Sequence, residues 1–464
     1  MAVLFRREKE EPPSVVDPFT APGVAAGVRR PAVVAPAATP APPQAAGAEP
    51  TIQDIVQGRL VTAAFQPIVR LDSAEAVAFE AFARGPHGTR LGSPREMFAA
   101  AAQAGLAAEL DQVAHAAAYR DALNAKLHPS LSLFVNADAR QLGTAVPDDL
   151  QGVVALALAR LRMLIEVSER ILVAAPARAM AGIEKARASG WGIAWDNLGA
   201  TPDALALMPF VRPDVVKIDV SLAHDGLRGH GGRVVSAVVA YAERSGASIM
   251  ATNIESEAHL NTARGIGAIL GQGYHFGRPG ELPTNTKPPH QPITLITDYG
   301  PVDPQSTPFG IFQEARQPVA ATRAMVEALA NQLEQRAAID PEPPVVIACL
   351  PQSQLLSGAP LAQLQLITRN AGFAAAVMCE APGFDIPGVR VVQLAEDDPA
   401  RDEWAIAVVG PTFAALLTAR ERSGRRDGEF AFLYGLTYDR PLVERAARAL
   451  LHRITDADLT TTAG

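Results

Sequence analysis

Ala76-Val77-Ala78-Phe79-Glu80-Ala81-Phe82-Ala83-Arg84 decides how this chain folds. The run is short, mostly apolar and free of Gly and Pro, with Val77, Phe79 and Phe82 among small residues, and reads as a strand. The run follows another strand-like segment, Ala64 to Leu71, so closely that Asp72 to Glu75 leave no room for a crossover helix. The two must pair as an antiparallel hairpin. Downstream, strand-like runs recur at Leu131 to Asp138, Met163 to Glu169, Gly192 to Leu198, Val215 to Val220, Ser248 to Ile254 and Ala268 to Phe276. Amphipathic segments separate most of them, among them Glu109 to Lys126, Ala175 to Ala188 and Val234 to Ser245. Eight strands with helical crossovers predict an α/β fold, a (β/α)8 TIM barrel whose first strand runs antiparallel.

Such a barrel gathers the C-terminal ends of its parallel strands on one face. Glu80, Asn136 (in Phe134-Val135-Asn136), Glu166 (in Leu164-Ile165-Glu166) and Asp196 (in Ala194-Trp195-Asp196-Asn197) all fall at such ends. Oxygen-only donors from successive strands suit a hard cation such as Mg²⁺.

Composition narrows the function classes. The chain has 464 residues and a formal net charge of -8, with no dense Lys/Arg cluster, which argues against a nucleic-acid polymer or an anionic membrane as partner. The two cysteines, Cys349 and Cys379, sit in apolar runs, so no disulfide framework is indicated and both read as inert core thiols in a reducing compartment. The nine histidines never cluster at metal-ligand spacing. No stretch has the length of uncharged apolar residues that a membrane span needs, and Met1 to Glu10 lack the apolar core of a secretory signal. A cytoplasmic location follows as the expectation.

The Pro/Ala-rich segment 1–51 reads as a disordered tail, and prolines from Pro283 to Pro304 make 283–307 a linker. The expected organisation is therefore a barrel at 52–282, a smaller α/β domain at 308–456 and a flexible end at 457–464.

On these motifs the barrel resembles an EAL domain, the bacterial cyclic di-GMP phosphodiesterase fold. Phe65-Gln66-Pro67-Ile68-Val69 is similar to the family's opening strand, and Glu80-Ala81-Phe82-Ala83-Arg84 to its name-giving Glu-Ala-Leu-x-Arg. Asn136, Glu166-Val167-Ser168-Glu169, Asp196-Asn197-Leu198-Gly199, Lys217-Ile218-Asp219, Ala251-Thr252-Asn253-Ile254-Glu255 and Gln272-Gly273-Tyr274 follow in the family's order. The resemblance implies metal-assisted attack of water on one phosphodiester, releasing linear pGpG. It makes Glu80, Asn136, Glu166 and Asp196 ligands of a first Mg²⁺ or Mn²⁺, gives Lys217 the orienting of water or phosphate, and places Gln66, Arg84 and Gln272 against the nucleotide. Glu169 and Glu255 read as structural acids that brace the loops. A homodimer is also implied.

Three departures fall on the catalytic apparatus. Asn197 stands where the family has the second Asp that holds a second ion, and Thr252 where it has the general-base Glu. Leu198 and Thr201 replace a Phe and a Gly in the neighbouring loop. A threonine hydroxyl takes no proton near neutral pH, and losing a general base costs about 10²- to 10⁴-fold in rate. The expectation is a degenerate EAL domain that has lost hydrolytic power, holds one ion more readily than two, and acts as a cyclic di-GMP receptor or as a regulatory or interaction module coupled to a sensory domain. A slow phosphodiesterase with another base, and a protein-interaction scaffold that needs no cofactor, are the alternatives. Residues 308–456 resemble the DICT domain, a sensory module, through Phe309-Gly310-Ile311-Phe312-Gln313, the Asp402 to Val409 run with Phe413, and the closing helix with Val443, Ala446, Ala447 and Leu450.

Overall fold

The eight expected strands close into a barrel in the computed structural model, which describes residues 49–136, 145–198, 203–224, 230–296, 302–340, 342–351, 366–380, 385–422 and 430–454. Residues 1–48 of the expected 1–51 tail, the expected tail 457–464, Thr201, and the side chains of Glu169 and Asn197 lie outside the described residues. Around the barrel run β1 (Thr62–Arg70), β2 (Ala76–Arg84), β3 (Ser132–Asn136), β4 (Arg162–Val167), β5 (Gly192–Leu198), β6 (Val215–Asp219), β7 (Ser248–Thr252) and β8 (Leu270–Gly271), in that order. β1 pairs antiparallel with both β2 and β8, and the other pairs are parallel. β8 is shorter than the expected Ala268 to Phe276 because the chain bends at Gly273 against Ile254. A Cβ at Gly273 would lie 2.0 Å from the Ile254 carbonyl oxygen, so only glycine permits the approach.

Strand alternation sorts the side chains. Ile68, Ala78, Phe134, Leu164, Ala194, Val215, Met250 and Leu270 form an apolar floor inside the barrel. Trp195, one residue along from Ala194, is fully buried on the outer side among the covering helices.

The proline-rich stretch after the barrel has no regular element in its described part, yet it does more than connect. Ile293 joins the apolar floor and is 4% exposed. Arg162 on β4 donates to the Ile293 carbonyl. Asp214, at the entry to β6 and fully buried, accepts from the Ile296 amide at 2.6 Å and the Ile193 amide at 2.7 Å, and pairs with Arg187 at 3.0 Å. This strap covers the N-terminal end of the barrel, opposite the polar strand ends.

The C-terminal region builds a mixed seven-stranded sheet from β9 (Val319–Ala321), β10 (Val345–Leu350), β11 (Phe373–Met378), β12 (Arg390–Gln393), β13 (Glu403–Val409), β14 (Ala414–Glu421) and β15 (Phe432–Thr437), ordered β12-β11-β10-β13-β14-β15-β9. β10, β11 and β12 are parallel and the rest antiparallel. Val346, Ala348 and Leu350 pack with the helix Arg323–Ile339 on one face. Val345, Ile347 and Cys349 pack on the other with the helix Arg440–Leu451, in an apolar cluster continuous with the outer shell of the barrel. Barrel and sheet thus belong to one compact unit. Polar contacts reinforce the seam: Glu184 on the helix Pro176–Ala188 accepts from Arg448 at 2.9 Å and lies 3.1 Å from His452 Nε2, and Arg390 donates to the carbonyls of Val173 and Ala174.

Cys349 is buried, whereas Cys379 lies just past β11 and is half-buried rather than in the core. Burial pushes both thiols up, away from the reactive thiolate. No helix among the described residues is long and apolar enough to cross a membrane.

Candidate functional site

One pleat above the apolar floor, the inward positions turn polar. The step of two residues that leads from Ala78 to Glu80 on β2 also leads from Phe134 to Asn136, Leu164 to Glu166, Ala194 to Asp196, Val215 to Lys217 and Met250 to Thr252. Gln272 follows Leu270 in the same way, and Gln66 lies opposite Glu80 in the β1–β2 register. Residues from seven strand ends and one returning segment therefore face a common space.

Lys217 is the hub of that space. Its Nζ lies 2.7 Å from Glu166 Oε1, 3.1 Å from Glu80 Oε2 and 3.2 Å from Asp196 Oδ1. Gln272 Nε2 donates to Glu80 Oε2 at 2.8 Å, and Asn136 Nδ2 donates to Glu80 Oε1 at 3.3 Å. Lys217, Glu80 and Glu166 are only 4%, 4% and 3% exposed, so water contributes little to holding their charges. Burial alone would strip the proton from Lys217, but the three carboxylates outweigh it and raise the ammonium well above its ordinary value. Burial and the charge of Glu80 push the Glu166 carboxyl well up. Glu80 ends below the usual range, because Lys217 and the Gln272 amide together overcome its burial. The cluster titrates as a unit in which one acid carries its charge and the other holds its proton more tightly.

The remaining expected residues divide. Gln66 is buried but gives its amide to the Gly277 carbonyl at 2.9 Å rather than to the carboxylates. Arg84 donates to the Ala83 carbonyl at 2.9 Å and lies 5.7 Å from the Phe82 ring centroid. Thr252 donates its hydroxyl to the Ile218 carbonyl at 3.3 Å. Glu255 is exposed, and its carboxylate has no hydrogen-bond partner among the described residues. Two contributors were not foreseen from sequence. Asn253 adopts φ 59°, a left-handed conformation that Asn tolerates better than most side chains, and donates to Asp219 Oδ2 at 2.7 Å. The legible signal was Asn at a position where the resembled family has Gly. His115 Nε2 lies 2.7 Å from the Asn136 carbonyl, a contact that no motif announced.

The donors fit a hard cation chemically. All are oxygens, and Glu166 Oε2 is buried with no hydrogen-bond partner among the described residues, an acceptor that a metal ion would satisfy. The geometry as it stands favours the ammonium: among the described residues no three His, Cys, Asp or Glu side chains converge on a metal position. A divalent ion would have to compete with Lys217 for Glu80, Glu166 and Asp196.

Residues 51–279 match the model of the EAL domain. Over 243 residues the chain is 28% identical to the cyclic di-GMP phosphodiesterase RocR of Pseudomonas aeruginosa, covering 50% of this chain and 61% of that protein. An uncharacterized signaling protein of Caulobacter vibrioides is 28% identical over 246 residues, which are 52% of this chain and 30% of that one. Among solved structures, a calcium and cyclic di-GMP complex of BlrP1 from Klebsiella pneumoniae is 30% identical with a TM-score of 0.42, over 48% of this chain and 56% of that one. The chain spans less than two thirds of the length of each. Residues 51–279 are an EAL domain, similar over its length to the cyclic di-GMP phosphodiesterase RocR.

Proposed function

We propose that the protein acts in cyclic di-GMP signalling through an EAL barrel that binds the dinucleotide but has lost the power to cut it. The observation that carries this reading is Thr252: at the place of the family's general base stands a hydroxyl that donates to the Ile218 carbonyl. The similarity to RocR over the barrel supports the nucleotide as ligand. Asn197 supports the loss of a second ion, since an amide brings no charge and Mg²⁺ gives up its water reluctantly for neutral donors. Glu80, Asn136, Glu166 and Asp196 would hold one Mg²⁺ or Mn²⁺, which when bound would neutralise phosphate charge. Asn136 and Gln272 hold the Glu80 carboxylate in place, and Lys217 supplies the fixed positive charge that a dianionic cyclic dinucleotide requires in a site lined by acids.

The C-terminal region would be a DICT-like sensory module. Its seam with the barrel, through Glu184, Arg448 and His452, is the route by which a signal would reach the strand ends. The working unit would be a homodimer.

A scaffold with no nucleotide affinity is the second reading, and the Lys217 cluster favours it, because an internal cation already occupies the space between the three acids. Calorimetric titration of the full chain with cyclic di-GMP, with and without Mg²⁺, separates the two. The receptor reading expects saturable heat; no heat with tens of micromolar protein in either condition overturns it.

A further inference from the structure

Between the outer wall of the barrel and its covering helices lies a cavity of about 190 Å³ that the nucleotide chemistry does not use. Its apolar body comes from three elements: Ile165, the outward residue of β4 beside Glu166, Tyr119 on the helix Ala107–Asn124, and Val154 on the helix Asp148–Arg160. An apolar cavity of about 150 Å³ suffices for benzene, so this one takes a single ring with a small substituent.

The polar groups of the lining belong to two walls. On the helix Ala107–Asn124, Asp111, Gln112 and His115 are engaged within the protein: Asp111 and Gln112 hold partners of their own, and His115 Nε2 donates to the Asn136 carbonyl at 2.7 Å. The other wall is the end of the helix Pro176–Ala188. Lys185 lies in its last turn, and Ser189, four residues on, donates its hydroxyl to the Lys185 carbonyl at 3.1 Å. The Trp191 amide donates to the Ala186 carbonyl at 3.0 Å, which folds the tryptophan back against the same turn.

Two donors stay uncommitted at this end of the cavity. Trp191 Nε1 is buried and has no hydrogen-bond partner among the described residues. Lys185 is exposed, and its ammonium forms no ion pair among them. A buried N–H without an acceptor costs free energy that a bound acceptor recovers, and an ammonium beside it favours an acceptor that carries negative charge. The apolar body disfavours a compact hydrated anion, so that charge has to arrive on a hydrophobic frame. An aromatic ring bearing a carboxylate meets both demands.

We propose that this cavity binds a small aromatic carboxylate, with its ring among Tyr119, Val154 and Ile165 and its carboxylate against Trp191 Nε1 and the Lys185 ammonium. The site stands independently of whether the barrel binds nucleotide. The test uses the full chain, benzoate as probe and benzamide as its neutral counterpart, with dissociation constants from saturation-transfer NMR titrations. Benzoate should bind saturably and about threefold more tightly than benzamide, the range of an exposed ion pair. Lys185→Gln, at an exposed position, should abolish that preference. Trp191→Phe keeps a ring but removes the donor and should weaken benzoate about tenfold. Val154→Phe fills the cavity and should weaken both probes about tenfold or more. No saturable binding at millimolar benzoate, or parental binding by a folded Val154→Phe protein, overturns the site. Equal affinity of the parent for the two probes, or a preference that survives Lys185→Gln, overturns the carboxylate as the group recognised. Undiminished benzoate binding by folded Trp191→Phe overturns the role of the indole N–H.

Discussion

Replacing Lys217 by Met tests whether the ammonium is what holds the strand ends together. Methionine keeps much of the side chain's length but removes the charge that meets Glu166 at 2.7 Å, Glu80 at 3.1 Å and Asp196 at 3.2 Å. Two of those acids are nearly sealed from water, so neither can regain by hydration what it loses. Removing one partner of a buried ion pair typically costs about 3–5 kcal/mol. At about 2–4 °C per kcal/mol for a domain of this size, the unfolding midpoint should fall by about 6–20 °C in EDTA. Adding Mg²⁺ should return part of that loss and raise the variant's midpoint more than the parent's, because the ion then faces three acids without a competing ammonium. Differential scanning calorimetry of both proteins, with and without Mg²⁺, provides the comparison. A midpoint drop of less than about 2 °C would refute the reasoning, since the cluster would then hold without its cation.

Other perturbations follow from the same structure. Thr252→Glu combined with Asn197→Asp should raise pGpG release with Mg²⁺ by about 10²-fold or more, measured chromatographically; unchanged release would mean that the impairment lies elsewhere. Burial pushes the half-buried Glu334 carboxyl up to about 7, so its contribution to stability is full below about pH 4.5 and is lost as pH rises through about 7. Glu334→Gln should therefore leave the midpoint unchanged at pH 4.5 and raise it at pH 8, by at most about 3 kcal/mol of stability. Arg448→Ala breaks the 2.9 Å bond to Glu184 across the seam and should cost about 1.5–3 kcal/mol in chemical denaturation. Ile293→Ala should cost about 2–4 kcal/mol, a loss that a free linker residue would not show.

The barrel was legible because its signals are local. The short Asp72 to Glu75 spacing dictated the β1–β2 hairpin, and the inward step of two residues carried Glu80, Asn136, Glu166, Asp196 and Lys217 to one face. The remainder depended on long-range packing. Nothing near Ile293 distinguishes it from any apolar residue in a linker, because its burial comes from the open floor of a barrel that ended well before it. Ala414–Glu421 does not read as a strand in sequence because Ala, Leu and Arg favour helix, and only pairing with β13 and β15 overrides that preference. The motifs placed Lys217 at the site but gave no sign that three carboxylates would close on it, since that arrangement exists only once four strands are in register.

The most direct measurement is chromatographic analysis of cyclic di-GMP incubated with the full chain and Mg²⁺ or Mn²⁺ under multiple-turnover conditions. With Thr252 in the base position, the nucleotide should be recovered intact, with bound dinucleotide released unaltered on denaturation. Sustained accumulation of pGpG over many turnovers would contradict the account.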